Sequence, residues 1–364
     1  MYQFERLLRA IYRPQNAYCV HVDANAPPVV FSAVEHIAHC LNETFGNVLV
    51  PTTRVHVRWG EYSVLEAELI CFRELLAIHG RRKWRYAINL TGQEFPLRTM
   101  LELTRILKIL NGANLIDGSL RTFLRVFQWR VSFITEQTIP FDILIHHGSV
   151  HIVASYRFVQ FALEDPKALR LLKFLKENAV ITDEIYFATL NHNPDILGAP
   201  GSYLGYAETH PETYPSLPRL KNWGAYPCHS KHWVRWLCIW GVDDLPFIAT
   251  RPELFVNKFY WDFQPLALDC MEEFFWNRTI DDFLAGTNTT LSQAGQGSQT
   301  GQGEGAQGDQ GPQDGKEEQG TKEGQWAQGA SVRQKGPSKR LNQVSAPLDL
   351  NYYAQLNVVL NHLP

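Results

Sequence analysis

The chain has 364 residues, 45% of them hydrophobic, with 10 Trp, 14 Tyr and 20 Phe, enough apolar mass for one large domain or two. Its formal net charge is −3, which leaves no broad basic footprint for nucleic acid. No run approaches the roughly 18 uninterrupted apolar residues of a membrane-spanning helix, and the opening MYQFERLLRAIYRP lacks the apolar stretch of a signal peptide.

Residues 3–12 place Phe4, Leu7, Leu8 and Ile11 on one helical face, and Pro14 ends that helix. Residues 17–23 read as a buried strand ending at Asp23. An acid at the end of a central strand is where α/β sheets commonly grip a nucleotide, and it serves equally as a strand-end cap. A helix is expected over 30–41, short strands over 47–50 and 55–59, and a strongly periodic helix over 62–79. Residues 84–90 read as a strand that runs into a loop, 91–96, carrying Glu94, and a helix over 99–110 follows. This alternation argues for βαβ units and a mostly parallel sheet. Neither a Gly-x-Gly-x-x-Gly turn nor a P-loop is present, which disfavours dinucleotide dehydrogenases and P-loop enzymes.

Beyond residue 112 the pattern loosens. Arg121, Arg125 and Arg130, set among Phe123, Phe127 and Trp129, read as a solvated loop. Residues 149–155 form an expected strand, and 156–177 two helices broken at Pro166. Thr182 followed by Asp183 and Glu184 is an N-cap signature for a helix to Leu190, so on pattern alone Glu184 is a first-turn acid. The run from Cys228 to Lys258 carries the densest chemistry: Cys228 and Cys238 flank Arg235 in an aromatic segment, and Lys258 closes an apolar run. A disulfide there would hold Arg235 on a short stiff loop, and two fixed cations close together suit a leaving diphosphate. A stapled hairpin with two solvated cations is the alternative. A helix is expected over 266–277. Residues 286–345 collapse to Gly, Gln, Ser, Glu and Lys, a composition that cannot bury a core and is expected to be disordered. That leaves 1–285 as the folded domain and 346–364 as a short apolar tail. The six cysteines form no Cys-x-x-Cys pair, which disfavours a zinc ribbon. Sequons stand at Asn42, Asn89, Asn277 and Asn288.

The segments 4–23, 57–75, 84–99, 148–159, 182–190 and 234–259 resemble, in order and spacing, the core-2/I-branching β-1,6-N-acetylglucosaminyltransferases, a family that includes the peptide O-xylosyltransferases. The resemblance implies an α/β, GT-A-like nucleotide-sugar transferase fold with a mixed, mostly parallel central sheet flanked by helices. It also implies no cofactor and no divalent metal, and the chain contains no Asp-x-Asp. On the same footing Glu184 falls on the family's catalytic base, Arg235 and Lys258 on its two diphosphate-binding cations, and Asp23 on a uridine contact. Trp59 stands where the family usually has Tyr, and Asp117 and Trp223 fall on acceptor-site positions. Cys19 with Cys71, and Cys228 with Cys238, match family disulfides. The implied reaction is an inverting displacement in which Glu184 deprotonates an acceptor hydroxyl that attacks the sugar of UDP-N-acetylglucosamine.

Measured against the family pattern, the chain starts inside the catalytic domain, without the tail, membrane anchor, stem and first β-strand, and Cys40 and Cys270 are left unpaired or pair with each other. The expected partners are UDP-N-acetylglucosamine and a glycan or glycoprotein acceptor, with no nucleic acid and with membrane contact only through an anchor absent from this chain. The expected setting is the lumenal side of the Golgi membrane, as a type II protein. The competing readings are a UDP-xylose protein xylosyltransferase and a non-catalytic UDP- or glycan-binding remnant. Glycoside hydrolysis by Glu184 with Glu94 or Asp183 ranks below them.

Overall fold

The computed structural model describes residues 1–120, 139–204 and 216–296, with side chains to residue 285. The expected arginine-aromatic loop at 121–130 and the tail at 346–364 lie outside the described residues. Helix α1 (Tyr2–Ile11) buries Leu7, Leu8 and Ala10. Its Arg6 pairs with Asp269 and Glu272, both at 2.5 Å, on the last helix, α10 (Pro265–Gln296). That helix runs past the boundary placed at residue 285. Strand β1 (Tyr18–Cys19) pairs in parallel with β2 (Val48–Leu49) across α2 (Pro28–Phe45). Pro28 starts α2 and Gly46, at φ 56°, stops it in the left-handed region.

Helix α3 (Tyr62–Ala77) leads to β3 (Tyr86–Ile88) and β4 (Glu94–Pro96). A reciprocal Thr99–Glu102 capping box opens α4 (Met100–Leu110). Strand β5 (Val153–Ser155) continues into α5 (Tyr156–Glu164), α6 (Pro166–Asn178), α7 (Thr182–Asn191) and the single turn α8 (Pro194–Leu197). The rest comprises β6 (Arg219–Leu220), the hairpin β7 (Trp233–Val234) and β8 (Leu237–Cys238), α9 (Leu245–Ile248) and β9 (Phe255–Asn257).

Two apolar cores share the β3–β5 pair, and strand alternation divides its side chains between them. Tyr86, Ile88 and Val153 face one core, with Phe95, Trp240, Phe255 and the α4 and α10 side chains. Ala87 and Ala154 face the other, with Leu65, Phe158, Leu171 and Tyr186 from α3, α5, α6 and α7.

The chain is mixed α/β as expected, with helices and small sheets. Among the described residues two strand pairings are parallel, β1–β2 and β6–β9, and three are antiparallel, β3–β5, β4–β9 and β7–β8. They form four small sheets. Between β1 and β3 lies a cavity of 1740 Å³ whose walls include Tyr18, Val20, Ala87 and Asn89, and among the described residues no strand joins the two. Two local expectations also change. Residues 55–59 alternate like a strand but pair with no strand among the described residues; side chains take two of their amides instead, with Val55 N–H bonded to His21 Nε2 at 3.2 Å and Val57 N–H to Asp23 Oδ1 at 3.2 Å. Residues 94–96, read as loop, are a fully buried strand paired with β9.

Candidate active site

Glu184 sits in the first turn of α7, where the helix dipole favours a carboxylate by about 0.3–1 kcal/mol. Thr182 does not cap this helix: it is the first helical residue, fully buried, and the cap position belongs to Ile181 in the left-handed region at φ 55°. The turn is held from outside instead, by Ile181 N–H donating to Gly60 O at 2.9 Å and Gly148 N–H donating to Glu184 O at 2.7 Å. The Glu184 carboxylate meets His147 Nε2 at 2.8 Å. Its neighbour Asp183 points inward; burial, then the charge of Glu184, push its pKa up to about 6.

The Gly60 contact carries the site across to the cations. Gly60 follows Trp59, whose exposed ring lies 5.6 Å from the Arg235 guanidinium. Arg235 and Trp236 form the two-residue turn of the β7–β8 hairpin, at φ 50° and 69°, a geometry for which Gly and Asn are preferred. The Cys228–Cys238 disulfide closes this hairpin. Behind it, fully buried Asp244 accepts from the amides of His229 at 2.7 Å, Ser230 at 3.2 Å and Gly241 at 2.9 Å. Lys258 follows β9, and Trp240 N–H donates to its carbonyl at 3.1 Å. Half-burial, then the charge of Arg235, lower the Lys258 pKa.

Asp23 uses one carboxylate oxygen for local order, accepting from the amides of Asn25 at 2.8 Å and Val57 at 3.2 Å. That bond ties it to the segment carrying Trp59. Asp117 accepts from Ser216 Oγ at 2.5 Å. Trp223 is 59% exposed, two residues past Lys221. Contacts thus link the turn that bears Glu184 to Gly60 beside Trp59, Trp59 to Arg235, and Val57 of the same segment to Asp23. Cys19 bonds Cys71, while Cys40 and Cys270 are both free thiols rather than a pair.

Sequence reasoning missed Lys221, Arg219 and His151, and read Glu94 as a loop carboxylate and a hydrolytic alternative. Lys221 Nζ donates to Ser149 Oγ at 2.5 Å. Burial lowers its pKa while the charges of Asp117 and Glu184 oppose this. Arg219 Nε meets Glu94 Oε2 at 2.7 Å, both side chains fully buried. His151 Nε2 stands 2.6 Å from Glu94 Oε1, out of line for a hydrogen bond; burial lowers the His151 pKa to about 4 despite the nearby carboxylate. Glu94 also accepts from Thr91 Oγ1 at 3.0 Å and Asn257 Nδ2 at 3.1 Å. Burial would raise its pKa, but Arg219 and His151 outweigh that and hold it at about 2. Glu94 is therefore a structural anion beneath the site. The visible signal was His146, His147 and His151 grouped around Gly148. Among the described residues no cluster of His, Cys, Asp and Glu has metal-binding geometry, and no helix is long and apolar enough to cross a membrane.

Residues 1–249 match the family described as Core-2/I-Branching enzyme. The chain belongs to that family. It is 33% identical over 298 residues, 76% of this chain, to the sheep (Ovis aries) beta-1,3-galactosyl-O-glycosyl-glycoprotein beta-1,6-N-acetylglucosaminyltransferase 3, and covers 65% of that protein. It is 32% identical over 298 residues to the Bovine herpesvirus 4 beta-1,3-galactosyl-O-glycosyl-glycoprotein beta-1,6-N-acetylglucosaminyltransferase, covering 76% of this chain and 65% of the viral one. The human (Homo sapiens) N-acetyllactosaminide beta-1,6-N-acetylglucosaminyl-transferase is 34% identical over 298 residues, 76% of this chain and 70% of that protein. The chain thus spans about 65% of the length of the first of these relatives. Within the branching-enzyme match, the pair Asp117–Ser216 and residues 57–60 around Trp59 stand inside residues 1–249, as do Glu184 and Arg235; Lys258 lies just beyond.

Proposed function

We propose that this branching-family chain transfers N-acetylglucosamine from UDP-N-acetylglucosamine to a sugar hydroxyl of an O-glycan in β-1,6 linkage, with inversion and without a metal ion. The observation that carries the proposal is a chain of contacts: the turn that bears Glu184 is tied by the Ile181–Gly60 hydrogen bond to the segment of Trp59, whose ring lies 5.6 Å from the Arg235 guanidinium, and the charge of Arg235 acts on Lys258. Glu184 takes the proton of the acceptor hydroxyl. The oxygen forms its bond to the anomeric carbon from one face as the carbon–oxygen bond to UDP breaks on the other. Arg235 and Lys258 neutralise the charge that collects on the diphosphate, the part a divalent ion plays in other transferases. Asp23 and Trp59 border the nucleotide, and Asp117 and Trp223 border the acceptor. The names of the relatives support N-acetylglucosamine and a β-1,6 linkage. A lumenal, oxidising Golgi setting accords with the two disulfides. The sequons add nothing at two positions, since the amides of Asn42 and Asn89 donate to Val48 O at 2.6 Å and Val150 O at 2.5 Å.

The test is product analysis. The chain is incubated with UDP-N-acetylglucosamine or UDP-xylose and a Gal-β-1,3-GalNAc or serine-peptide acceptor, and the linkage formed is read by NMR. A β-1,6-linked N-acetylglucosamine supports the proposal, and xylosyl-serine would replace it with the protein-xylosylating reading. Tight UDP binding with no product in any arm would leave the non-catalytic reading.

A further inference from the structure

We propose that His147 is a positioning residue for Glu184, holding one carboxylate oxygen so that the other faces the acceptor; this rests on the reading of Glu184 as the base. The contact is built by the backbone. Ser119 and His147 exchange amide-to-carbonyl bonds of 2.8 and 3.2 Å in an antiparallel bridge. On the other side, His146 N–H donates to Thr189 Oγ1 of α7 at 3.1 Å, and Thr189 Oγ1 donates back to His146 O at 3.3 Å. Gly148 N–H donates to Glu184 O at 2.7 Å. The segment is thus bolted to the helix that carries Glu184, one turn above it and at Glu184 itself.

Gly148 makes this approach feasible. A Cβ there would stand 2.0 Å from Asp117 O and 2.9 Å from Ala188 Cβ, so only glycine lets the segment lie flat between residue 117 and α7. His147 is delivered beside the carboxylate with its side chain 13% exposed against 30% for Glu184, and its Nε2 reaches Oε2 at 2.8 Å. A long Glu side chain at a half-open rim carries rotamer freedom that a bound partner removes. With the imidazole against Oε2 at ion-pair distance, Oε1 is the oxygen left to accept the hydroxyl proton. Other charged groups also bear on the carboxylate: Asp183 beside it in the same turn, and the Lys221 ammonium, tethered to Ser149. Neither replaces the histidine, because Asp183 repels the carboxylate and Lys221 is bonded elsewhere.

The test compares full-length wild type, His147→Ala, His147→Gln and Glu184→Gln, with UDP release as the assay and UDP affinity and melting temperature as controls. Misplacing a reacting group by an ångström costs about 10²-fold, so His147→Ala is expected to lose about that much in kcat with KM for the donor, UDP affinity and melting temperature unchanged. His147→Gln, which keeps a side-chain N–H, is expected to recover part of the loss. Wild-type kcat in His147→Ala would overturn the proposal, as would a loss explained by unfolding in both His147 variants. Full turnover in Glu184→Gln would instead sink the base reading. Independently of turnover, crystal structures of wild type and His147→Ala are expected to show the Glu184 carboxylate swung to a different rotamer in the variant; an unmoved carboxylate would overturn the proposal.

Discussion

Glu94→Gln isolates the buried anion on which the cation side of the cleft rests. In the native protein Glu94 and Arg219 are both fully buried and 2.7 Å apart, and the guanidinium also stacks 4.7 Å from the Phe255 ring. Holding Glu94 at about 2 rather than an ordinary 4.5 corresponds to about 3 kcal/mol in favour of the charged form. The amide keeps the shape and one acceptor, yet takes from buried Arg219 its ion-pair partner and leaves Glu68 as the remaining nearby carboxyl, a loss of about 3–5 kcal/mol. Against a total stability of about 5–15 kcal/mol, that is a fifth or more. Urea denaturation with a fitted m-value reads the change directly. Because Glu94 lies opposite Asn257 in the β4–β9 register, one residue before Lys258, UDP affinity should fall as well. The double variant Glu94→Leu/Arg219→Met should recover most of the stability, since replacing a buried pair by apolar groups is often neutral. A Glu94→Gln variant within about 1 kcal/mol of wild type, or a double variant no better than the single, would refute this reasoning.

The remaining expectations are briefer. Removing Arg235 or Lys258 (Arg235→Ala, Lys258→Met) should weaken UDP binding about 10–100-fold by calorimetry, the worth of one or two charge-assisted hydrogen bonds, with little change in melting temperature; unchanged affinity in both would remove them from the nucleotide site. Cys228→Ser/Cys238→Ser should cost about 2–3 kcal/mol in stability, as for a short closed loop, and lower UDP affinity through Arg235; a variant with native affinity would show that the hairpin keeps its turn without the bridge. Asp183, raised from 3.8 to about 6, holds in the folded state a proton that the unfolded chain has released. Its contribution is present below pH 3.8 and lost as pH rises through about 6, a decline of about 3 kcal/mol. Glu94 runs the opposite way: its contribution is present above 4.5 and lost as pH falls towards 2. Chemical denaturation of wild type and Asp183→Asn at pH 4 and pH 7 should show the variant gaining on wild type at the higher pH, and parallel curves would contradict the buried-acid account.

The helices were the legible part of this chain, because a 3.6-residue apolar period survives in one segment without its partners. The seams α1, α3, α5 and α6 fall where Leu7, Leu65, Phe158 and Leu171 recur. Strands were less legible. Residues 55–59 alternate like a strand, yet His21 and Asp23 occupy the amides a neighbour would need. Glu94–Pro96 looked like a loop because its charge and proline are explained only by distant Arg219 and by β9. The same non-locality hid the supporting groups of the site. The motif around Glu184 is local, but the histidine that touches it and the lysine that shares its field come from 37 residues on either side, at 147 and 221. The Thr182 cap was misread for a local reason: Ile181 takes the left-handed turn, and Gly60 accepts its amide, so the helix starts one residue early.

The most direct test of the account is UDP release from UDP-N-acetylglucosamine, with a Gal-β-1,3-GalNAc acceptor, in EDTA, for wild type and Glu184→Gln. The account predicts turnover that survives the chelator in wild type and falls about 10²–10⁴-fold in the variant, with UDP affinity retained. Turnover abolished by EDTA and restored by a divalent ion, or a Glu184→Gln variant as fast as wild type, would contradict it.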